Sequence, residues 1–293
     1  MRVTAPVRID VSGGWPDSDP YREEFGGCVF NAALALRVAA YLDDSGNFII
    51  SPQKVPPNSS LGASAAFRAC CLALSNPKLL EDEKDLVRRV WLYENRVLKQ
   101  RAGLQDEAAA IYGGVNLWKF GSGEVPSTYD PEATAKLIQN TPIPRDRAQH
   151  LEERLILINT NENHLSSNIH TEVFGPDVYQ KNIPYIQKMS RIAPQMAKNI
   201  TDEQTMGKLI NRTWDLQKSL HSTIETNTMR HLQKAMAGSC LGWRALGAAG
   251  GGCVMCYGNK EQMIAQYQKI QQDFPNTQLI PVEFDYKGIK MAA

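Results

Sequence analysis

The first part of the chain alternates apolar and polar residues with the period of β-strands. Residues 3–10 and 28–50 follow this pattern, and Asp43-Asp44-Ser45-Gly46-Asn47 has the composition of a hairpin turn between apolar runs. Later apolar runs bounded by turn residues predict further strands at 115–120, 155–159, 253–256 and 279–284.

Elsewhere apolar residues recur every three or four positions, which is the period of an amphipathic helix. In residues 81–101 this stripe contains Leu86, Val90, Tyr93 and Val97. The other predicted helices are 63–74, 105–112, 178–198, 202–220, 227–237 and 260–273. Strands and helices are mixed without strict βαβ alternation, and the pattern therefore predicts an α+β fold.

Two segments near the middle of the chain have the composition of a boundary. Residues 121–130 are rich in Gly, Ser and Pro, and residues 141–153 are polar. A chain of 293 residues can bury a substantial core and is long enough for two domains. We therefore expect one domain over residues 1–150 and a second over residues 151–293.

The charge balance excludes partners that bind through a broad electrostatic field. The chain has 32 Lys and Arg against 31 Asp and Glu, so nothing predicts binding to nucleic acid or to an anionic membrane. No apolar run reaches the roughly 18 residues of a spanning helix. The first motif also begins too close to Met1 for a signal peptide. We expect a cytoplasmic protein with a small-molecule partner.

The cysteine and histidine positions predict no metal or disulfide framework. The six cysteines lie among apolar or small residues, and the five histidines lack ligand spacing. Cys253-Val254-Met255-Cys256 has the spacing of a redox motif, but its alternation favours a buried strand.

The most informative stretch is residues 56–67, in which small residues lead directly into a helix-forming apolar run. Without bulky side chains, backbone N–H groups can close on an anion, and the helix N-terminus adds its partial positive charge. The alternative is an ordinary helix cap. The residues of this predicted phosphate-binding loop are Ser59, Ser60, Leu61, Gly62, Ala63 and Ser64.

Two further glycine-rich stretches accompany this loop, at residues 5–17 and 246–257. In this order the three stretches resemble the signature motifs of the GHMP kinase superfamily, which phosphorylates galactose, homoserine, mevalonate and related small alcohols. Residues 13–27, 103–114 and 211–218 resemble, more narrowly, D-glycero-D-manno-heptose 7-phosphate kinases and fucokinase-like proteins. The resemblance runs almost end to end, and it implies ATP as phosphoryl donor with Mg²⁺.

The resemblance also implies an architecture. We expect an N-terminal domain of the ribosomal protein S5 domain 2 type and a ferredoxin-like C-terminal domain. The active site would lie in the cleft between them.

Phosphoryl transfer to an alcohol needs a phosphate cradle, a divalent metal and a group that accepts or orients the hydroxyl proton. The resemblance makes Asp106 the base or orienting carboxylate and Arg8 the cation that holds it ionised. Ser64 and Glu94 would be oxygen ligands of Mg²⁺, and Glu94 interrupts an apolar helix face where a buried carboxylate needs a partner. Each residue also has a structural alternative. Asp106 would cap a helix, and Arg8 would pair with Asp10. Ser64 would be an ordinary serine at a helix start, and Glu94 a solvated glutamate on a helix face.

The resemblance implies that the alcohol that accepts the phosphoryl group lies against the first and third glycine-rich stretches, residues 5–17 and 246–257. Asp17 matches a carboxylate that binds sugar hydroxyls, and Gly14 lies in the same turn. Gly250 and Gly251 would close on the substrate, because only glycine lets backbone come so near a ligand. A turn aspartate and a tight turn before a strand are the alternatives.

Several positions depart from the family pattern. The interval between the first motif and the phosphate-binding loop, which helps to form the adenine pocket, is short. Ser60 replaces a usual glycine, Glu107 a usual glutamine, and Arg244 a common lysine beside a bulky Trp243. His164 stands where the heptose kinases have an arginine, which weakens the case for a phosphorylated sugar.

The leading hypothesis is an ATP- and Mg²⁺-dependent kinase for a hydroxyl of a sugar or sugar phosphate, with Asp106 as base or orienter. Two alternatives remain open. One is a non-catalytic sugar or nucleotide sensor on the same fold, favoured by the shortened interval. The other is a kinase for a non-sugar alcohol.

Overall fold

A computed structural model describes residues 1–43, 45–53, 55–162 and 166–292. Its strands are β1 (Arg2–Asp10), β2 (Gly27–Leu42), β3 (Phe48–Gln53), β4 (Val115–Phe120), β5 (Ile138–Pro142), β6 (Leu155–Asn159), β7 (Gly242–Ala245), β8 (Cys253–Tyr257), β9 (Gln278–Ile280) and β10 (Lys290–Ala292). Its α-helices are α1 (Tyr21–Phe25), α2 (Ala63–Ser75), α3 (Glu83–Leu92), α4 (Gln105–Tyr112), α5 (Pro131–Leu137), α6 (Arg145–Glu152), α7 (Ser166–Val173), α8 (Tyr179–Lys198), α9 (Glu203–Lys218), α10 (Asn227–Ala235) and α11 (Lys260–Ile270).

The strands form two antiparallel sheets. The first has the order β10-β1-β2-β4-β5, with β3 also paired to the long strand β2. The second has the order β7-β8-β6-β9. The register of β1 on β2 shifts between Pro6 and Val7, which fits the preference of proline for strand irregularities. The mixture of helices and sheets confirms the predicted α+β class.

Helices of both halves of the chain pack on these sheets. Helices α2 and α4 lie on β1 and β2, whereas α8, from the second half, packs on β2 and β4. Helix α9 packs on β7. One apolar core joins the layers, and it buries four tryptophan side chains completely, those of Trp15, Trp118, Trp214 and Trp243. None of the helices in the described ranges is long and apolar enough to cross a bilayer.

The last described residues return to the first sheet. The Asp285 N–H donates to the Ala33 carbonyl at 2.9 Å, and the Gly114 N–H donates to the Asp285 carbonyl at 2.6 Å. Strand β10 then pairs with β1. The sheets therefore divide near residue 150, but residues 283–292 lie with the first one. The division into domains at 1–150 and 151–293, and the two domain types, stay predictions.

Helix α5 and strand β5 follow residues 121–130, and α6 lies within residues 141–153. The structure corrects the predicted helix over 81–101. Helix α3 begins at Glu83, after the Asp82 side chain caps the Asp85 N–H at 3.0 Å. It passes into a π-helical turn, Tyr93–Val97, which ends four residues before the predicted end at residue 101. Within the predicted hairpin turn, Asp44 lies outside the described residues.

Gly288 provides a test of how the C-terminal segment docks. Its φ is +62°, and an added Cβ would overlap the Ile111 carbonyl oxygen. We expect Gly288→Ala to lower the free energy of unfolding by about 3 kcal/mol, from left-handed strain plus overpacking. Gly238 is the matched control, because its φ is +84° and no described heavy atom lies within 4 Å of an added Cβ. Gly238→Ala should cost about 1 kcal/mol in urea unfolding. Equal losses would contradict the docking.

Candidate active site

Parts of all three glycine-rich stretches meet in a cleft of about 660 Å³. The strand end of β1, the N-terminus of α2, the start of α4 and the loop after β7 each contribute a wall. The predicted site residues that line it are Arg8, Gly14, Asp17, Ser59, Ser60, Leu61, Gly62, Ala63, Ser64, Glu94 and Asp106. Among these predicted residues, Arg8 and Asp106 are the farthest apart in the sequence, by 98 positions.

Arg8 and Asp106 form a two-point ion pair in this cleft. Arg8 Nε donates to Asp106 Oδ1 at 2.7 Å, and Nη2 donates to Oδ2 at 2.8 Å. Asp10 is farther away, at 3.9 Å, so the pair with Asp106 dominates over the alternative partner. Burial alone would lower the pKa of the Arg8 guanidinium, but Asp106 and Asp10 outweigh it and raise the pKa. Arg8 therefore remains a cation next to a carboxylate whose side chain is 30% exposed.

The phosphate-binding loop is held in place by the same arginine. Arg8 Nη1 donates to the Ser60 carbonyl at 2.5 Å, and the Arg8 N–H donates to the Leu61 carbonyl at 2.8 Å. Gly62 precedes α2 with a φ of +71°, and an added Cβ would lie 3.2 Å from Asp106 Oδ2. Ser60, where the family usually has glycine, has a φ of +59°, so a non-glycine residue holds the left-handed conformation here.

Glu94 lies in the π-helical turn, and its pairing differs from the sequence expectation. Its exposed fraction is 2%, so it is not a solvated helix-face glutamate. Arg68, on α2, forms an ion pair with Glu94 Oε1 and also donates to Gln100 Oε1 at 2.7 Å. Burial raises the pKa of Glu94, Arg68 opposes that rise, and Asp106 adds to it. π-Helical turns within helices are frequent at functional sites.

Glu94 and Ser64 fit a divalent cation by their chemistry. Both line the cleft, Ser64 is exposed at the start of α2, and a hard cation prefers carboxylate and hydroxyl oxygens. The buried carboxylate needs a positive partner in any case. In this structure the partner is Arg68.

Asp17 lies next to the start of α4, the helix that carries Asp106. Its Oδ2 accepts the Gln105 N–H at 2.9 Å, whereas Oδ1 is buried and has no hydrogen-bond partner among the described residues. Burial raises the pKa of Asp17 well above its usual value, although the Gln105 N–H opposes that rise. Side chains at Gly14 and Gly103 would overlap Gln105 and Asp17, so both glycines are needed for this packing.

Aromatic residues that the sequence did not single out complete this wall. The rings of Trp15 and His170 are 4.9 Å apart, and both residues line the cleft. Trp15 Nε1 and His170 Nδ1 are buried without partners in the described part of the chain. Burial lowers the pKa of His170 to about 4, despite Asp106, so the ring is neutral at pH 7. Trp15 stood inside the first motif, whereas nothing in the sequence around His170 marked it.

The glycine loop after β7 reaches the cleft with its first part only. Gly247 and Ala248 line the cleft, whereas Gly250 and Gly251 are not among its lining residues. The Gly250 N–H instead donates to the Ile224 carbonyl at 2.9 Å. The His164 position lies outside the described residues.

Buried contacts tie this glycine loop to the first motif. Asp10 Oδ1 accepts the Gly247 N–H at 2.9 Å, and Asp10 Oδ2 lies 3.2 Å from Arg244 Nη2. Arg244 also donates to the Asp10 carbonyl and to Gln217 Oε1, the latter at 2.9 Å. Arg244, in place of the usual lysine, thereby connects the second sheet to β1.

Glu107 is a fully buried acid beside the predicted base. Neither of its carboxylate oxygens accepts a hydrogen bond from an N–H group of the described residues, but the carboxyl group lies within hydrogen-bonding reach of Glu94. Burial, and then the neighbouring Glu94 and Asp106, raise its pKa well above the usual value. The protonated form is therefore favoured at a position where the family usually has the neutral amide of glutamine.

The fold is that of small-molecule kinases. A D-glycero-D-manno-heptose 1-phosphate kinase from Bacteroides thetaiotaomicron superposes with a TM-score of 0.73 at 17% identity, covering 100% of this chain and 99% of that one. The Lactococcus lactis galactokinase, complexed with galactose, gives 0.69 at 15% identity, with 99% and 94% covered. The Methanococcus jannaschii mevalonate kinase gives 0.68 at 12% identity, with 97% and 98% covered.

These matches confirm the resemblance to GHMP kinases at the level of fold. No protein-family model and no curated protein sequence matches this chain. The functional conclusions therefore depend on the residues in the cleft.

Glu107→Gln tests the buried acid through the pH dependence of stability. Because the folded pKa is raised, the contribution of Glu107 is complete below the ordinary glutamate pKa of about 4.3 and is lost as the pH rises through the folded value. We expect the variant to gain about 1–3 kcal/mol in free energy of unfolding at pH 8, and progressively less towards pH 4.

Urea unfolding across this pH range measures the difference. Glu132→Gln is the control, because Glu132 pairs with Lys136 on the surface. The assignment of a protonated Glu107 is wrong if the difference between Glu107→Gln and the unmodified chain is flat with pH.

Proposed function

We propose that this chain is a kinase that transfers the γ-phosphoryl group of ATP to a hydroxyl of a sugar or sugar phosphate. The observation that supports it most is the Arg8-bound Asp106 carboxylate, which lines the same cleft as the phosphate-binding loop and lies next to Gly62 of that loop. A cytoplasmic location, where ATP is available, fits this proposal.

Asp106 is suited to receive or orient the proton of an acceptor hydroxyl. Its carboxylate is aligned through both oxygens, and it remains open to the cleft. As the hydroxyl oxygen bonds to the γ-phosphorus, the bond from that phosphorus to the bridging oxygen would break, ADP would leave, and the hydroxyl proton would pass to Asp106. Arg8 would keep the carboxylate ionised before this transfer and would stabilise negative charge that develops nearby.

The phosphate-binding loop and two oxygen ligands would serve the donor. Backbone groups of residues 59–64 and the N-terminus of α2 favour an anion. Glu94 and Ser64 would hold Mg²⁺, which when bound neutralises the charge of the donor phosphates. Gly62 keeps this loop close to Asp106, because a larger residue would press on Arg8 and on the carboxylate.

The opposite wall favours a polyhydroxylated acceptor. Asp17 Oδ1, Trp15 Nε1 and His170 Nδ1 are buried polar atoms that lack partners in the described structure. Unpaired buried polar atoms are costly, and a ligand rich in hydroxyl groups would supply both donors and acceptors. Gly14 would allow the acceptor to approach this wall. Gly250 and Gly251 would act only by shaping the loop whose first residues, Gly247 and Ala248, face the cleft.

A non-catalytic sensor is the second candidate function. The short interval before the phosphate-binding loop favours it, and so does Glu94, whose charge Arg68 already balances without a metal. A kinase for a non-sugar alcohol is the third. The three unpaired polar atoms of the acceptor wall count against that one.

Asp106→Asn separates a kinase from a sensor. The amide keeps the size of the side chain but cannot take a proton, so we expect kcat to fall by about 10²- to 10⁴-fold. Binding of ATP, measured by calorimetry with Mg²⁺, should change little. The assay is acceptor-dependent release of ADP over a panel of aldoses, heptoses and their phosphates.

Asp215→Asn is the matched control, because Asp215 is exposed on α9 and does not line the cleft. It should leave kcat unchanged. If the unmodified chain binds nucleotide or sugar but transfers nothing over the whole panel, the sensor replaces the kinase.

Asp17→Asn tests the acceptor wall. Asparagine can still accept the Gln105 N–H through its carbonyl oxygen, but it replaces the unpaired Oδ1 with an amide donor. We expect KM for the sugar to rise by at least about tenfold, with KM for ATP unchanged. Steady-state kinetics with each substrate varied in turn measures both values. An equal rise in the two KM values would instead indicate a general disturbance of the cleft.

A further inference from the structure

We propose that Arg68 is an internal counter-ion that competes with the divalent metal for Glu94. Arg68 would therefore set the metal affinity of the empty cleft. The inference depends on the proposed function in one respect, since it takes Glu94 to be the carboxylate that holds the metal. The family motifs assign no role to Arg68.

The contacts of Arg68 identify it as the cation that balances Glu94. The Arg68 side chain is 15% exposed and that of Glu94 is 3% exposed, so both are largely withdrawn from water. One guanidinium nitrogen pairs with Glu94 Oε1, and another donates to Gln100 Oε1 at 2.7 Å. A buried carboxylate without a cation is strongly unfavourable, so this pair has a clear physical purpose in the absence of metal.

The local structure places Arg68 at the predicted metal position. Ser64 and Arg68 are four residues apart on α2, so they lie on the same face one turn apart, and both line the cleft. Glu94 reaches this face from the π-helical turn. Glu94 therefore pairs with Arg68 in this structure and would, together with Ser64, hold the metal.

Electrostatics makes the two cations exclude each other. The charge of Asp106 raises the pKa of Glu94, whereas a hydrogen bond with Glu107 lowers it, and Arg8 is already paired with Asp106. Without Arg68, Glu94 would have no balancing guanidinium among its described contacts. A divalent cation would then bind this carboxylate without first displacing a positive group.

Displacement also predicts coupling between metal and nucleotide. A displaced Arg68 remains attached to the helix whose N-terminus forms the phosphate-binding loop. Phosphate groups bound there would offer it a new anionic partner, since arginine pairs well with phosphate. Metal should therefore bind weakly to the nucleotide-free chain and more tightly once nucleotide is bound.

The test measures Mn²⁺ binding to the full, nucleotide-free chain by electron paramagnetic resonance, since Mn²⁺ accepts the same oxygen ligands as Mg²⁺. We expect Arg68→Gln to bind Mn²⁺ about tenfold more tightly than the unmodified chain, the change expected from losing one competing charge pair. Arg68→Lys keeps the charge but lacks the guanidinium that contacts Glu94 and Gln100 at once. Its Mn²⁺ affinity should therefore fall between those of the unmodified chain and Arg68→Gln. Adding Glu94→Gln to Arg68→Gln should abolish the gain.

The matched control is Arg230→Gln, which removes another arginine–glutamate pair, with Glu225, outside the cleft. It should leave Mn²⁺ binding unchanged. A second measurement repeats the titrations with a non-hydrolysable ATP analogue. The nucleotide should tighten Mn²⁺ binding in the unmodified chain, and this coupling should shrink in Arg68→Gln.

Unchanged or weaker Mn²⁺ binding in Arg68→Gln would overturn the proposal. If Arg68→Gln does not fold, Arg68→Lys provides the test. The proposal is wrong if Arg68→Lys binds Mn²⁺ no more tightly than the unmodified chain. These titrations contain no acceptor and need no turnover. A chain that shows the predicted Mn²⁺ pattern but transfers no phosphate would therefore refute the kinase and leave the role of Arg68 standing.

Discussion

The cleft depends on one partly buried ion pair, that between Arg8 and Asp106. Its guanidinium satisfies a carboxylate on α4 and a carbonyl of the phosphate-binding loop at the same time, so β1, α2 and α4 are fixed relative to one another. Asp10, two residues further along β1, anchors the glycine loop of the second sheet through Gly247 and Arg244. Removing one partner of such a pair would leave an uncompensated buried charge.

The acids in and beside the cleft differ in whether an arginine pairs with them. Arg8 and Arg68 hold Asp106 and Glu94, whereas no described residue forms an ion pair with Asp17 or Glu107. Burial raises the pKa of both unpaired acids, so each is pushed towards its neutral form. Asp106 and Glu94 thus each have an arginine partner, whereas Asp17 and Glu107 have none among the described residues.

Much of the fold and part of the site could be predicted from sequence, where the signals were local. Helix α4 and strands β4 and β6 have the predicted bounds, because their apolar pattern and flanking glycines act over a few residues. The three residues of β10 gave no such signal, since their strand exists only through pairing with β1. The π-helical turn has only five residues, too few to change the apolar spacing visibly, so the sequence could not show where α3 ends. Likewise, Arg68 and His170 became site residues only through contacts between distant elements.

The claim that this cleft transfers phosphate to a sugar is tested most directly by ³¹P NMR of the chain with ATP, Mg²⁺ and a sugar panel. A kinase predicts a new phosphate-ester resonance that appears only with its acceptor and grows as the γ-phosphate signal of ATP declines. Asp106→Asn should remove that resonance. Release of inorganic phosphate alone, or unchanged spectra with every sugar and sugar phosphate, would contradict the claim.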